Sequence, residues 1–582
     1  MRPATLLSVL LIVLVLLAAA GGALLMRGTG SAEPLEALPA DASIVIHTRS
    51  LPRLIESLGS SRLSEGSGDD DGRWEMLAEA LQPLLGMERL SASLTPDVMA
   101  WWLGGDVALA QVPGRTDEPP AFVLVSSAPG SSERAAREAM RLLGSAGGEP
   151  EGWVPRTHRG VPYSLLRVGE GSGTVCVTAA RGIVLITTSA RAMRRVLDAL
   201  DGRERSVARD PDWLIARNNL PRRADLYVHV SEKTLRAWLR AHAEDPSFTR
   251  LAALAGAGAA RHAALALRIR EGLFQESLFV VLSPEKRGLP GALFKGRPRA
   301  EAGAVPRDPR FTVNASIAWE DPSGAWREVP RTLAAENEKQ LQDLEGRLGG
   351  LEDFLGLELQ GDLLGSLGRD LRISVDAAGP FPRVAAPHSF RNLHWRATME
   401  LRRPDPIRRM LKRVDGLARV FATREAEGRD DRAITWYRIP ALAPMTPAYR
   451  LTRRTLDMAS SPELLASPPA TGPSARGSLR NLPERAHLFF RISTRYLAEL
   501  GIGWNGRPLR QWPAPALLSL AEDEDLPLTV GAGRMETSGF LLEWVSPVSM
   551  PGIAWAAWRQ HGAAPVEPER SPAATDIEDP LY

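Results

Sequence analysis

Leu220 to Leu239 reads LPRRADLYVHVSEKTLRAWL, and the same order of parts recurs at Leu38 to Leu58, LPADASIVIHTRSLPRLIESL, and at Leu482 to Leu500, LPERAHLFFRISTRYLAEL. Each copy opens on Leu-Pro, passes through a few polar residues into an apolar strand, meets a Ser or Thr and continues as a helix. In the middle copy Leu226, Val228 and Val230 alternate with Tyr227 and His229, the period of a strand with two unlike faces. Ser231 then suits a helix start, because its hydroxyl accepts from exposed backbone N–H groups, and Glu232 suits the positive end of the helix dipole. Leu235, Trp238 and Leu239 fall at three- and four-residue spacing and predict a helix with one apolar face laid on a sheet. Thr48 and Ser493 take the place of Ser231 in the other copies, followed by Leu51, Leu54, Ile55 and Leu58 in one and by Leu497 and Leu500 in the other. The unit is a fold signature and carries no reactive group.

Outward from this unit the chain reads as a long repeat. Leu103 to Asp106 (LGGD) leads into a strand at Val107 to Val112, Ala121 to Ser126 is a strand before a helix from Ser132 to Leu143, and Gly160 to Val168, Thr174 to Thr178 and Ile183 to Thr187 are successive strands. Thr188 or Ser189 caps a helix, and Ala263 to Ile269 with Gln275 to Leu282 closes the first half as a hairpin around Glu271-Gly272. The second half keeps the order: Phe311 to Trp319, Leu367 to Asp370 (LGRD), Trp395 to Leu401 before Pro404 to Val414, Arg453 to Ser461, Leu482-Pro483 and Gly539 to Pro547. Corresponding points lie 264, 262 and 263 residues apart (370 less 106, 482 less 220, 547 less 284). Two tandem related α+β domains are therefore expected, each a mainly antiparallel sheet with helices packed on one face, over 31–287 and 311–549, with a Pro/Gly/Arg linker at 288–310 and a short apolar segment and disordered tail over 550–582. A charged helix, Arg331 to Leu348, is an addition of the second half.

Leu6 to Met26 is an uncharged apolar run long enough to cross a bilayer as a helix, within a leading segment 1–30. Arg2 before it favours a cytoplasmic N-terminus and an exported remainder, so the expectation is a single-pass signal anchor of the bacterial inner membrane with the bulk of the chain in the periplasm. Ala18-Ala19-Ala20 before Gly21 is the alternative, a cleavable signal peptide. The 71 basic and 69 acidic side chains nearly cancel to +2, which gives no electrostatic case for nucleic acid. Cys176 is the single cysteine, so internal disulfides and cysteine-ligated metal sites are excluded; it reads as a small buried hydrophobe within a strand.

The Leu38 to Asp41 opening, Leu103 to Asp106, the Gly160-Val161-Pro162-Tyr163 turn and Leu220 to Ala224 together resemble an uncharacterised family of bacterial membrane-anchored envelope proteins, a domain of unknown function. The sequence departs from that pattern at Leu367-Gly368-Arg369-Asp370, which loses a Gly, and at Arg310-Phe311, which replaces the first Leu-Pro. The resemblance implies envelope location and architecture and brings no catalytic residues.

Chemistry-bearing patterns are scarce. There is no Gly-x-Ser-x-Gly elbow, GLPGALFK at 288–295 lacks the spacing of a phosphate loop, and GEGSG at 169–173 reads as a hairpin turn. The nine histidines form no ligand pair, and His47, His229 and His487 read as polar-face residues of strands. Asp69 to Asp71 and Glu522 to Asp525 read as solvated acidic turns. Trp101-Trp102, Trp504, Trp512, Trp555 and Trp558 read as core packing, with stacking on a sugar or a seat at the membrane interface as the alternatives, and Ile553, Ala554, Ala557 and Trp558 would share a short apolar helix face. No catalytic, cofactor or metal residues are assigned. The expectation is a non-enzymatic periplasmic binding or scaffold protein of the envelope, touching the bilayer through Leu6 to Met26 and an envelope protein partner; the competitors are a hydrolase of peptidoglycan or glycan with carboxylates in a cleft between the halves, and a carrier of an apolar ligand.

Overall fold

A computed structural model describes residues 32–61, 105–376, 393–467, 482–494 and 528–549, with short interruptions in the second and third stretches. Leu6 to Met26, Asp69 to Asp71, the helix after Ser493, Glu522 to Asp525, the six tryptophans named above and the tail lie outside the described residues. No described helix is long and apolar enough to cross a membrane.

The first half supplies ten strands: β1 (Ile44–Thr48), β2 (Val107–Val112), β3 (Ala121–Ser126), β4 (Val154–His158), β5 (Val161–Val168), β6 (Gly173–Ala180), β7 (Ile183–Thr187), β8 (Leu226–Ser231), β9 (Ala260–Arg270) and β10 (Leu273–Leu282). Ten more follow: β11 (Val313–Ala318), β12 (Leu367–Asp376), β13 (His394–Leu401), β14 (Thr423–Glu427), β15 (Ile434–Arg438), β16 (Ala448–Leu451), β17 (Thr455–Ala459), β18 (Leu488–Ile492), β19 (Thr529–Glu536) and β20 (Gly539–Ser546). All twenty form one antiparallel sheet. In the first half the order across the sheet is β4-β5-β6-β7-β3-β2-β1-β8-β9-β10. The second half runs β14-β15-β16-β17-β13-β12-β11-β18-β19-β20, each strand taking the place of the one ten earlier. β10 and β20 pair along eight residue pairs, from Phe274 opposite Ser546 to Val281 opposite Gly539, and so weld the halves edge to edge.

Helices cover both faces, not one. β7 is the reason: its five residues, IVLIT, are all buried, and a strand apolar on both sides needs cover on both. Ile183 and Leu185 pack with Met193, Val196, Leu197 and Leu200 of α4 (Ala190–Leu200), in the cluster that also takes Val45, Ala264, Phe279 and, across the joint, Leu541. Val184 and Ile186 pack instead with Ala135, Ala136, Ala139 and Leu143 of α3 (Ser132–Ala146). Two further helices complete the first side: α1 (Pro34–Ala37) and α5 (Pro211–Asn219), the latter capped by Asp210, whose carboxylate accepts from the Trp213 N–H at 2.9 Å. Cys176 is fully buried in β6.

The strand–helix unit itself departs in detail from its sequence pattern. Ser50, not Thr48, caps α2 (Leu51–Gly59), accepting from Arg53 N–H at 3.4 Å, while the Thr48 hydroxyl donates to the Asp225 carbonyl at 2.7 Å. The Ser231 hydroxyl meets that of Thr234 at 3.1 Å and caps no backbone group. α6 (Glu232–Ala241) buries none of its residues fully, and Trp238 is 44% exposed, so the predicted apolar face is only half covered. Within 288–310 the chain forms α7 (Gly288–Leu293), and a two-residue strand, Ala300–Glu301, pairs with Arg485–Ala486.

Candidate functional site

The sheet has two faces of different chemistry. On the face covered by α1, α4 and α5, His229 of β8 stands opposite Ala264, and His262 of β9 opposite Ser231, so the two imidazoles are diagonal neighbours on one side. Their rings are 3.8 Å apart, and the edge of Trp213 from α5 meets His229 at 5.0 Å. His229 is 2% and His262 3% exposed. Among the described residues His229 Nδ1, His262 Nε2, Trp213 Nε1 and Asp212 Oδ1 are buried without a hydrogen-bond partner. Burial pushes the His262 pKa down to about 4, and burial followed by the neighbouring His262 pushes His229 well below the ordinary histidine range; both are neutral at pH 7.

His47 and His487 are buried as well, at 8% and 2% exposure. The expectation that the three strand histidines take a polar face is therefore overturned: Trp213 of α5 closes the side to which His229 points, Tyr227 lies beside His47, and Phe294 packs on His487. His47 Nε2 lies 2.5 Å from Asp106 Oδ1, and His487 Nδ1 accepts from Met535 N–H at 3.1 Å. In the second half the position that answers His229 is taken by another buried base: Arg491 stands opposite Asn314 of β11 as His229 stands opposite Val45 of β1. Arg491 is 3% exposed, and Asn314 Oδ1 accepts from the Ser374 hydroxyl at 2.8 Å.

The other face carries an apolar row that the register makes continuous. Ile46, Val228, Leu265, Leu278 and Leu542 stand opposite one another in turn, and beyond Gly533 the row runs on through Leu488, Ile317 and Leu371 to Met399. The stretch from Ile46 to Leu371 crosses nine strands, about 38 Å at the usual strand spacing. α3 roofs one end of this side, and α8 (Pro404–Ala418), packing Ile407 and Leu411 on Leu456, roofs the other. Between them Ile46 is 37% exposed and its neighbours along the row are half-buried. Gly533 is a glycine because the Phe540 ring lies over it: a Cβ there would come within 2.9 Å of the ring.

At the joint Ser277 stands opposite Glu543. Burial raises the Glu543 pKa, opposed by the Arg534 guanidinium at 3.5 Å. Glu276 is 1% exposed and accepts from Trp544 Nε1 at 2.5 Å and from the Ser549 hydroxyl at 2.6 Å. These carboxylates sit in a paired sheet. A shallow groove of about 220 Å³ lies elsewhere, in the first half between Gly160-Val161-Pro162 and Leu197, Leu200 and Asp201. No group of three or more His, Cys, Asp or Glu side chains arranged to hold a metal is found among the described residues. Cys176 is no nucleophile, since burial pushes its thiol up to about 11.

No protein-family model matches the chain. No curated protein matches it. Among solved structures the chain is similar to crystal forms I and III of TP0453, at 13% and 14% identity and TM-scores of 0.23 and 0.24, covering 45% and 47% of this chain and 83% and 90% of that one. Crystal form IV gives 14% identity, a TM-score of 0.23 and coverages of 47% and 89%. At that depth the likeness carries no argument about function.

Proposed function

We propose that the chain is a non-enzymatic, membrane-anchored periplasmic protein of a bacterial envelope, a binding or scaffold component built from two tandem copies of one α+β unit fused edge to edge. The apolar row from Ile46 to Leu371 carries this reading: it runs through both units with a break at Gly533, and its side chains are half-buried rather than sealed. A face of this kind favours a broad partner surface over a small substrate, because it offers area without convergent polar groups. The matching strand order of the two halves supports duplication, and Leu6 to Met26 supports the anchor. A second reading, a carrier of an apolar ligand, draws on the same row.

The test is site-specific photo-crosslinking in native membranes, with the crosslinker at Leu278 and at Ile317. The scaffold reading expects one protein adduct common to both sites, and the carrier reading expects lipid or small-molecule adducts. Cleavage of cell-wall fragments by the purified protein, abolished by Glu276→Gln or Glu543→Gln, would replace both with the hydrolase.

A further inference from the structure

The place where the chain enters the folded body is fixed. Ala32 N–H donates to the Arg181 carbonyl at 3.0 Å, and the short α1 behind it buries Leu35, Ala37 and Leu38. This entry segment is stitched to the loop after α4: Val207 N–H donates to the Leu38 carbonyl at 2.8 Å, Ala40 N–H to the Arg205 carbonyl at 2.8 Å, and Pro39 bridges Ser206. The loop therefore moves with the entry point.

That loop, RERSVAR over 203–209, is basic and exposed at Arg203, Arg205 and Arg209. Among the described residues none of the three has an ion-pair partner. The acids around them are already engaged: Asp201 with Arg181 at 2.9 Å, Asp198 with Arg159 at 2.8 Å, and Asp41 and Glu204 with a shared Arg195. The Arg205 guanidinium donates to the Arg209 carbonyl at 3.3 Å, which holds two of the three side by side. From Met26 to Ala32 is six residues, at most about 20 Å of extended chain. An anchor ending at Met26 thus brings the corner that holds Ala32 against the membrane surface, whatever the rest of the body does.

We propose that this corner, Arg203, Arg205 and Arg209 beside the entry at Ala32, faces the bilayer and takes the phosphodiester headgroups of anionic phospholipids. The inference rests on the anchored reading above and adds which surface meets the lipid and by what chemistry. Guanidinium groups suit phosphate because they donate paired N–H groups, and a basic segment close to an anionic surface gains about fivefold in partition per arginine.

Full-length protein is reconstituted into vesicles of phosphatidylcholine, with or without phosphatidylglycerol, doped with a lipid that carries a photoreactive headgroup, and the crosslinked peptides are mapped. Labelling should centre on 198–209, require phosphatidylglycerol, weaken with salt, and fall by about tenfold or more when Arg203, Arg205 and Arg209 are all changed to Gln. The buried Cys176 thiol reports folding of that variant, and should it be exposed, the single changes Arg203→Gln and Arg209→Gln carry the test at about fivefold each. Labelling unchanged in the variants, or confined to the second half, overturns the proposal. Release of the protein from membranes by alkaline carbonate would instead refute the anchor, whereas retention without labelling at this loop refutes the headgroup surface alone.

Discussion

At the scale of single residues, the buried imidazoles carry the strongest consequence. In the unfolded chain His229 and His262 take up protons near pH 6.5, whereas folded His262 does so only near 4 and His229 stays neutral well below the usual range. Between those values the unfolded chain holds more protons, so stability is full above about pH 6.5 and is lost as the pH falls toward 4. His262 alone accounts for about 3 kcal/mol over that window. Thermal unfolding from pH 7 to 4 should show the loss, and His262→Leu should flatten it; an unchanged slope would remove the histidine pair from the explanation. Asp212 works in the opposite sense, because burial raises its pKa. Cys176 gives a second expectation: alkylation of the native protein should be negligible at pH 8 and rapid in denaturant, since the thiol is sealed in β6 and pushed up to about 11. The alternation of β8 already marked His229 as lying on the face opposite Leu226, Val228 and Val230. What the pattern left open is that a helix closes the side it calls polar.

At the scale of elements, the sequence spoke wherever a segment had one buried and one open side or a cap of its own. Ser189 caps α4 through Arg191 N–H at 3.2 Å, and Ser189→Ala should cost about 1 kcal/mol, readable as a lower denaturant midpoint with an unchanged slope. β4 and β14 were missed for a physical reason: they are the two outermost strands, mostly exposed, so VPRTH and TREAE show no apolar alternation. Their Pro, Arg and Glu residues keep open sheet edges from pairing with other chains. Replacing Glu425 and Glu427 with Val should therefore leave the fold intact and drive association, seen as a larger hydrodynamic size; a monodisperse variant would show that the edge charges are idle. α6 is the reverse case, a helix whose amphipathic pattern promised more burial than packing delivers.

At the scale of the whole molecule, the pairing of β10 with β20 makes two similar halves into one sheet. Phe279 is fully buried at this seam, opposite Leu541, and both belong to the first half's core. Phe279→Ala should cost about 3–5 kcal/mol and lower the melting of the whole protein in one step. A calorimetric trace that splits into two transitions, only one of them shifted, would mean that the seam does not couple the halves.

The sequence by itself determined the local grammar: the recurring strand–helix unit, the matching order of its two halves, the apolar leading segment and the lack of reactive motifs. Those are set by short-range periodicity, side-chain size and charge, all carried within a dozen residues. Only the tertiary structure decided that helices cover both faces, that the strand histidines are buried, and that the halves share backbone hydrogen bonds across a seam. Each of those depends on which residues meet at long separation, where a strand edge or a polar ring has no preference until its neighbour arrives.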